Sequence, residues 1–262
     1  MLTLLRKIRK SLIDSLPANK DAAKQAGGSI RKYLLYAIGE IALVVIGILI
    51  ALQINNWNET NKNKEKELKV LVNLKADFTT TKNNLIQARE NLFALTGKHN
   101  AILNFVAFDQ NEISDGMKDT MRFTTVPMTK IVDGGLNALL SSDKLELITN
   151  DSLYLLLTEY PSYVKSFKEQ EKNMEDVLIN HHRRVLIRHI VLMDILDRRK
   201  PFPKFKNRVP TSDYQSLIKD RDYHNALYDE RAQAVNTRAR ARDLQLKTEQ
   251  IIDLINEQLN SK

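Results

Sequence analysis

Residues 71–106 read LVNLKADFTTTKNNLIQARENLFALTGKHNAILNFV, and the spacing of their apolar side chains decides the fold class. Leu71, Phe78, Leu85, Leu92, His99 and Val106 recur every seventh residue, and Leu74, Thr81, Ala88, Leu95 and Ile102 fill the second position of the same heptad. Nine of these eleven side chains are apolar. A strand would alternate with a period of two, so the pattern predicts one long helix packed against others in the manner of a coiled coil. The Asn-rich residues 55–63 are expected to cap or interrupt it before that point.

A second heptad run lies downstream. Val164, Glu171, Leu178, Val185 and Leu192 hold one position; Phe167, Met174, His181, Arg188 and Ile195 hold the other, and seven of the ten are apolar. Pro201, Pro203 and Pro210 should terminate that helix. A last helix is expected from near Thr211 or Ser212 to near Leu259, with Leu227, Ala234, Ala241, Leu244, Ile251 and Ile255 on one stripe. Residues 109–160 are less regular. Asp115-Gly116 and Asp133-Gly134-Gly135 mark turns, residues 136–140 and 152–159 predict short helices, and Pro161 should end or kink the second. With only 8 Gly and 6 Pro in 262 residues, the composition also favours long helices over a turn-rich β fold. The expected body is an elongated antiparallel, all-α bundle of up-down-up order, with residues 109–160 as an irregular cap at its membrane-distal end.

Upstream, residues 33–54 are apolar apart from Tyr33, Tyr36, Glu40 and Gln53 and interspersed Gly. Twenty-two helical residues rise about 33 Å at about 1.5 Å each, which matches a hydrocarbon core of about 30 Å. Tyr33 and Trp57 suit the two interfaces as anchors. The segment is longer than a signal-peptide core and lacks a small-x-small cleavage site, so it reads as an uncleaved signal-anchor and transmembrane helix. Residues 1–32 carry eight basic residues against Asp14 and Asp21, a net +6, whereas residues 59–69 carry a net +1. That bias places residues 1–32 in the cytoplasm as a basic leader and residues 55–262 on the far side.

Residues 36–41 (YAIGEI) and 45–59 (VIGILIALQINNWNE) resemble the span of a Bacteroidota family of single-span membrane proteins of unknown function. The block SSDKLELI at residues 141–148 resembles a shorter piece of the same family. The resemblance implies a Gram-negative inner-membrane protein with a periplasmic body. It implies no activity.

Within the span, Tyr36, Glu40, Gly47 and Ala51 fall on one helical face. Gly47 and Ala51 are a small-xxx-small pair that lets a second helix approach, and Glu40 offers a hydrogen-bonding carboxyl beside it. This face is the expected site of self-association or of pairing with a partner membrane protein. Because an ionisable group in hydrocarbon costs at least about 2.5 kcal/mol, it is expected to face protein or water.

In the body, Arg198, Arg199, Lys200, Lys204, Lys206 and Arg208 crowd one loop with Phe202 and Phe205, a candidate contact for anionic lipid. Bundle order is expected to bring that loop back toward the membrane. His182 and His189 share a face, but no third metal ligand accompanies them. His99 and His181 both hold seam positions, at levels about 15 Å apart in an antiparallel pairing, too far to act as a pair. Cysteine is absent, which excludes thiol chemistry and disulfides. No phosphate-binding Gly loop or partnered Ser–His–acid set occurs, and no catalytic, metal or cofactor residue is assigned. From residue 55 onward the net charge is only +3, which argues against nucleic-acid binding. The expected function is non-enzymatic: an anchored helical bundle working through protein or ligand contacts as sensor, scaffold or envelope-assembly factor. Two other readings stay open. One is a cytoplasm-facing bundle that binds anionic lipid or nucleic acid; the other is a tethered enzyme with its site in residues 109–160.

Overall fold

The computed structural model describes residues 25–107, 112–122, 125–192 and 211–260. Every regular element among them is helical. In chain order these are α1 (Gln25–Ala107), α2 (Asp115–Met121), α3 (Gly134–Leu140), a 3-10 turn (Asp143–Leu147), α4 (Asp151–Asp176), a π-helical turn (Val177–His182), α5 (Arg183–His189), α6 (Tyr214–Lys219) and α7 (Arg221–Asn260).

The chain divides into two units, Met1–Lys62 and Asn63–Lys262. In the first, residues 38–60 are exposed without exception, including Ile41, Ile46, Leu49 and Ile54. One helix among the described residues is long and apolar enough to cross a membrane, and this is its apolar part. The Asn-rich residues 55–63 do not break it. All but the half-buried Asn61 are exposed while the backbone keeps its helical ladder, and the Thr60 hydroxyl donates to the Asn56 carbonyl at 2.8 Å.

In the second unit the heptad of α1 is buried at Leu71, Leu74, Phe78, Thr81, Leu85, Ala88, Leu92, Leu95, His99 and Ile102. At the last expected position Phe105 takes the place of Val106, one residue early. Three clusters follow one another along this arm. Leu71, Phe78 and Leu85 pack with Leu153, Tyr160, Phe167, Leu244 and Ile255. Leu92 and Leu95 meet Met174 and Ala234. Ile102 and Phe105 meet Val185, Leu186, Tyr214, Tyr223 and Leu227.

These pairings give chain direction. Residue numbers rise together along α1 and along α4–α5, so the two arms run the same way. Against α7 they fall: Glu67 bonds Gln258, Arg89 donates to Gln245 at 2.7 Å, and Arg231 donates to Asn100 at 2.6 Å. The up-down-up order is therefore not what forms. Residues 125–149 are no distal cap but a strap that returns along α1. Asn84 donates to the Lys130 carbonyl, Thr81 bonds both backbone groups of Val132, Gly135 N–H donates to Asp77, and Thr149 donates to Glu67. Because Thr149, two residues before α4, is bonded to Glu67, α4 starts at the Glu67 end.

Pro161 lies inside α4 rather than ending it. The helix starts cleanly, with the Asn150 side chain accepting from Leu153 N–H at 2.9 Å. Burial of Leu153, Leu157, Tyr160 and Phe167 on both sides of the proline holds the helix through the missing hydrogen bond.

Candidate functional site

The π-helical turn is where local geometry departs most from the heptad. A π turn inserts one residue into the α-helical ladder, so the face pointing inward slips by one position. The heptad would bury His181 after Phe167 and Met174. Instead the His181 side chain is 56% exposed and His182 is 1% exposed. Val185 and Leu186 then enter the core together.

His182 meets Glu230 of α7, itself 1% exposed, through a hydrogen bond from Nδ1 to Oε2. His99 of α1 faces the same oxygen with Nε2 at 3.5 Å and is 4% exposed. One carboxylate oxygen thus joins all three arms. The Tyr223 ring lies 5.6 Å from the His182 ring, tilted by 49°. The heptad places His99 and His181 on the seam about 15 Å apart; the one-residue slip turns His181 outward, and the shared run of α1 and α4–α5 brings His182 instead to the level of His99.

Four buried polar atoms here lack a hydrogen-bond partner among the described residues: His99 Nδ1, His182 Nε2, Glu230 Oε1 and the Tyr223 hydroxyl. Burial alone would push the Glu230 carboxyl up, but hydrogen bonds from His182 and His99, with their charge, outweigh it and hold it at about 2. Burial, then the charge of Glu230, pushes the Tyr223 phenol well above its usual range.

The arrangement is a hydrogen-bonded bridge rather than a metal cage. Metal-bound imidazoles pass their second N–H to a carbonyl or carboxylate, and here both second nitrogens are orphaned. No set of three potential ligands with metal-holding geometry occurs among the described residues. His182 and His189 do not converge either, because His189 bonds Asp220 at 2.8 Å.

Beside the π turn lies an open groove of about 380 Å³, lined by His181, Arg184, Arg188, Asp222 and Asp229 among others. His181 pairs with Asp229 at 3.5 Å and Arg188 with Asp222 at 3.3 Å. Every ion pair between the π–α5 segment and α7 thus joins a histidine or arginine to a carboxylate.

The residues singled out in the span all lie on the one continuous helix α1. Tyr36, Glu40, Gly47 and Ala51 are exposed, and a Cβ on Gly47 would meet nothing within 4 Å. Trp57 is 69% exposed. The Tyr33 side chain and the basic loop Arg198, Arg199, Lys200, Lys204, Lys206 and Arg208 lie outside the described residues. The residues flanking that loop, Ile190 and Tyr214, pack with Phe105, at the opposite end of the unit from Glu67.

Residues 40–126 match a family of unknown function (DUF6090). The matched stretch takes in Glu40, Gly47, Trp57 and His99, while His182, Tyr223 and Glu230 lie beyond it. No curated protein and no solved structure matches the chain.

Proposed function

We propose that this chain is a single-pass protein of the Gram-negative inner membrane whose helical body lies in the periplasm and works through protein or ligand contacts, without chemistry of its own. The observation that carries the reading is the run of exposed apolar side chains over residues 38–54, each helical and none buried. Contiguous apolar surface on that scale is tolerated only against lipid or a partner. Positive charge concentrated in residues 1–32 favours a cytoplasmic N-terminus. The buried heptads support a coiled-coil-like bundle suited to scaffold, sensor or envelope-assembly roles. Tyr36, Glu40, Gly47 and Ala51 form the face through which the span pairs with a second copy or a partner span.

The absence of cysteine makes the topology directly testable. Single cysteines at Asn61, Asp115 and Lys262 label with a membrane-impermeant maleimide once the outer membrane is permeabilised, whereas one at Lys20 stays protected until the inner membrane is lysed. The opposite pattern discards the periplasmic assignment and favours a body facing anionic lipid or nucleic acid in the cytoplasm. Glu40→Gln and Gly47→Leu each lower crosslinking between spans; unchanged crosslinking in both removes the association face.

A further inference from the structure

We propose that His99, Glu230 and His182 form a proton-binding site that controls whether the π turn and α5 stay packed against the other two arms.

The geometry allows one extra proton and resists the second. Both imidazoles face a single carboxylate oxygen. With one imidazole protonated the buried cluster is neutral. A second imidazolium leaves a net positive charge in the core, with two like charges sharing one acceptor. Protonation also converts His99 Nδ1 and His182 Nε2, already without partners, from idle acceptors into charged donors with nothing to donate to. A buried unpaired charged donor is far more costly than an unpaired neutral acceptor. Glu230 stays ionised throughout the histidine range, so the carboxylate cannot relieve the excess by taking the proton itself.

The surrounding groups do not cancel this. On α7, Tyr223 is neutral and Glu230 is the shared acceptor. On α6, Tyr214 is engaged with Arg122, which follows α2. On the π turn and α5, His181 faces Asp229, Arg188 faces Asp222 and His189 faces Asp220; Arg183 and Arg184 are exposed. The three outer pairs are partly or largely exposed, and the two that contain histidine tighten as it charges. Solvent-screened pairs contribute little beside a buried charge, so the inner site decides the sign.

The element that gives way is the one carrying His182. α5 has seven residues and is joined to α4 through a π turn, a hydrogen-bond geometry that is marginal in itself. Expelling His182 to water removes the excess charge and takes Val185 and Leu186 away from Tyr223 and Leu227. The state is two-valued because His182 is either seated on Glu230 or solvated.

The inference goes beyond the anchored-bundle reading and does not depend on which side of the membrane the body faces. The test uses the purified full chain in lipid nanodiscs, with spin labels on cysteines replacing Asn104 of α1 and Ile187 of α5, both exposed. Pulsed dipolar measurements are made at about pH 7.5 and at about pH 5, either side of the histidine range. The expected result is a shift to longer, broader distances at acid pH that reverses on neutralisation. His99→Gln, which leaves one imidazole per carboxylate, abolishes the shift, and His181→Gln, outside the core, leaves it intact. An unchanged distribution in the parent chain overturns the proposal, as does a response that survives His99→Gln or disappears with His181→Gln. A histidine-selective NMR titration of the unsubstituted chain needs no core variant. The ring signals of His99 and His182 are expected to change together with the label distance, and a change of distance without them counts against the site.

Discussion

Thr81, Glu67 and Glu171 are polar side chains where apolar ones would be expected in a buried seam, and each is explained by a backbone group of the strap. Thr81 exchanges hydrogen bonds with Val132, Glu67 accepts from Thr149, and Glu171 accepts from Thr129 N–H at 2.9 Å. As defects in the heptad Thr81 and Glu171 are plain in the sequence. Their meaning is not, because the partners lie 51 and 42 residues away and no short-range pattern points to them. Thr81→Val keeps the shape but strands both backbone groups of Val132, so a loss of about 1–3 kcal/mol is expected in urea unfolding. Glu230 gives a separate pH signature. Its carboxyl is held at about 2 in the folded chain, below the value of 4.5 for a free carboxyl. The stability it confers is complete above the free value and is lost as pH falls through the folded one. In a His99→Gln background, where His182 stays seated on Glu230 at acid pH, acid unfolding below about pH 4.5 is therefore expected to flatten when Glu230→Gln is added, as followed by circular dichroism across a pH series.

At the scale of elements, the long arms were legible. Ten of eleven heptad positions in α1 are buried, because a stripe repeated over that many turns leaves one face only to bury. The π turn was not legible. Its trace is the pair His181 and Arg188, polar side chains at two successive seam positions beside the apolar pair Val185-Leu186, a mismatch that a one-residue slip resolves. Two measurements check this account. Deleting Ile179, exposed within the π turn, should restore α-helical spacing while leaving the flanking registers in place, so helicity and thermal midpoint are retained. Deleting Lys172, also exposed but within the regular α4, rotates everything beyond it and should unfold the α5 end. Pro161→Ala, which restores a donor in the middle of α4, is expected to stabilise the body by about 1–3 kcal/mol. An unchanged denaturation midpoint would show that the proline is already accommodated without cost.

For the whole molecule, composition and period conveyed the all-α class and the presence of a long apolar helix, while topology escaped them. Up-down-up order rests on the habit that consecutive long helices are joined by short reversals. Residues 125–149 instead return along α1, and their sequence of an irregular stretch, the seven-residue α3 and a 3-10 turn carries no long hydrophobic period that would reveal it. The buried histidine bridge escaped for the same reason: His99, His182 and Glu230 come from three arms, and only the true chain directions bring them level.

The contact that closes the body joins Glu67, Thr149 and Gln258, residues separated by as much as 191 positions. During synthesis the first of these emerges long before the last. Until α7 arrives, the two earlier arms and the strap expose a trough of leucine and tyrosine with Glu230 missing from between its histidines. A nascent chain at that stage is open to proteolysis until α7 packs, because a partly folded chain leaves its apolar surface uncovered.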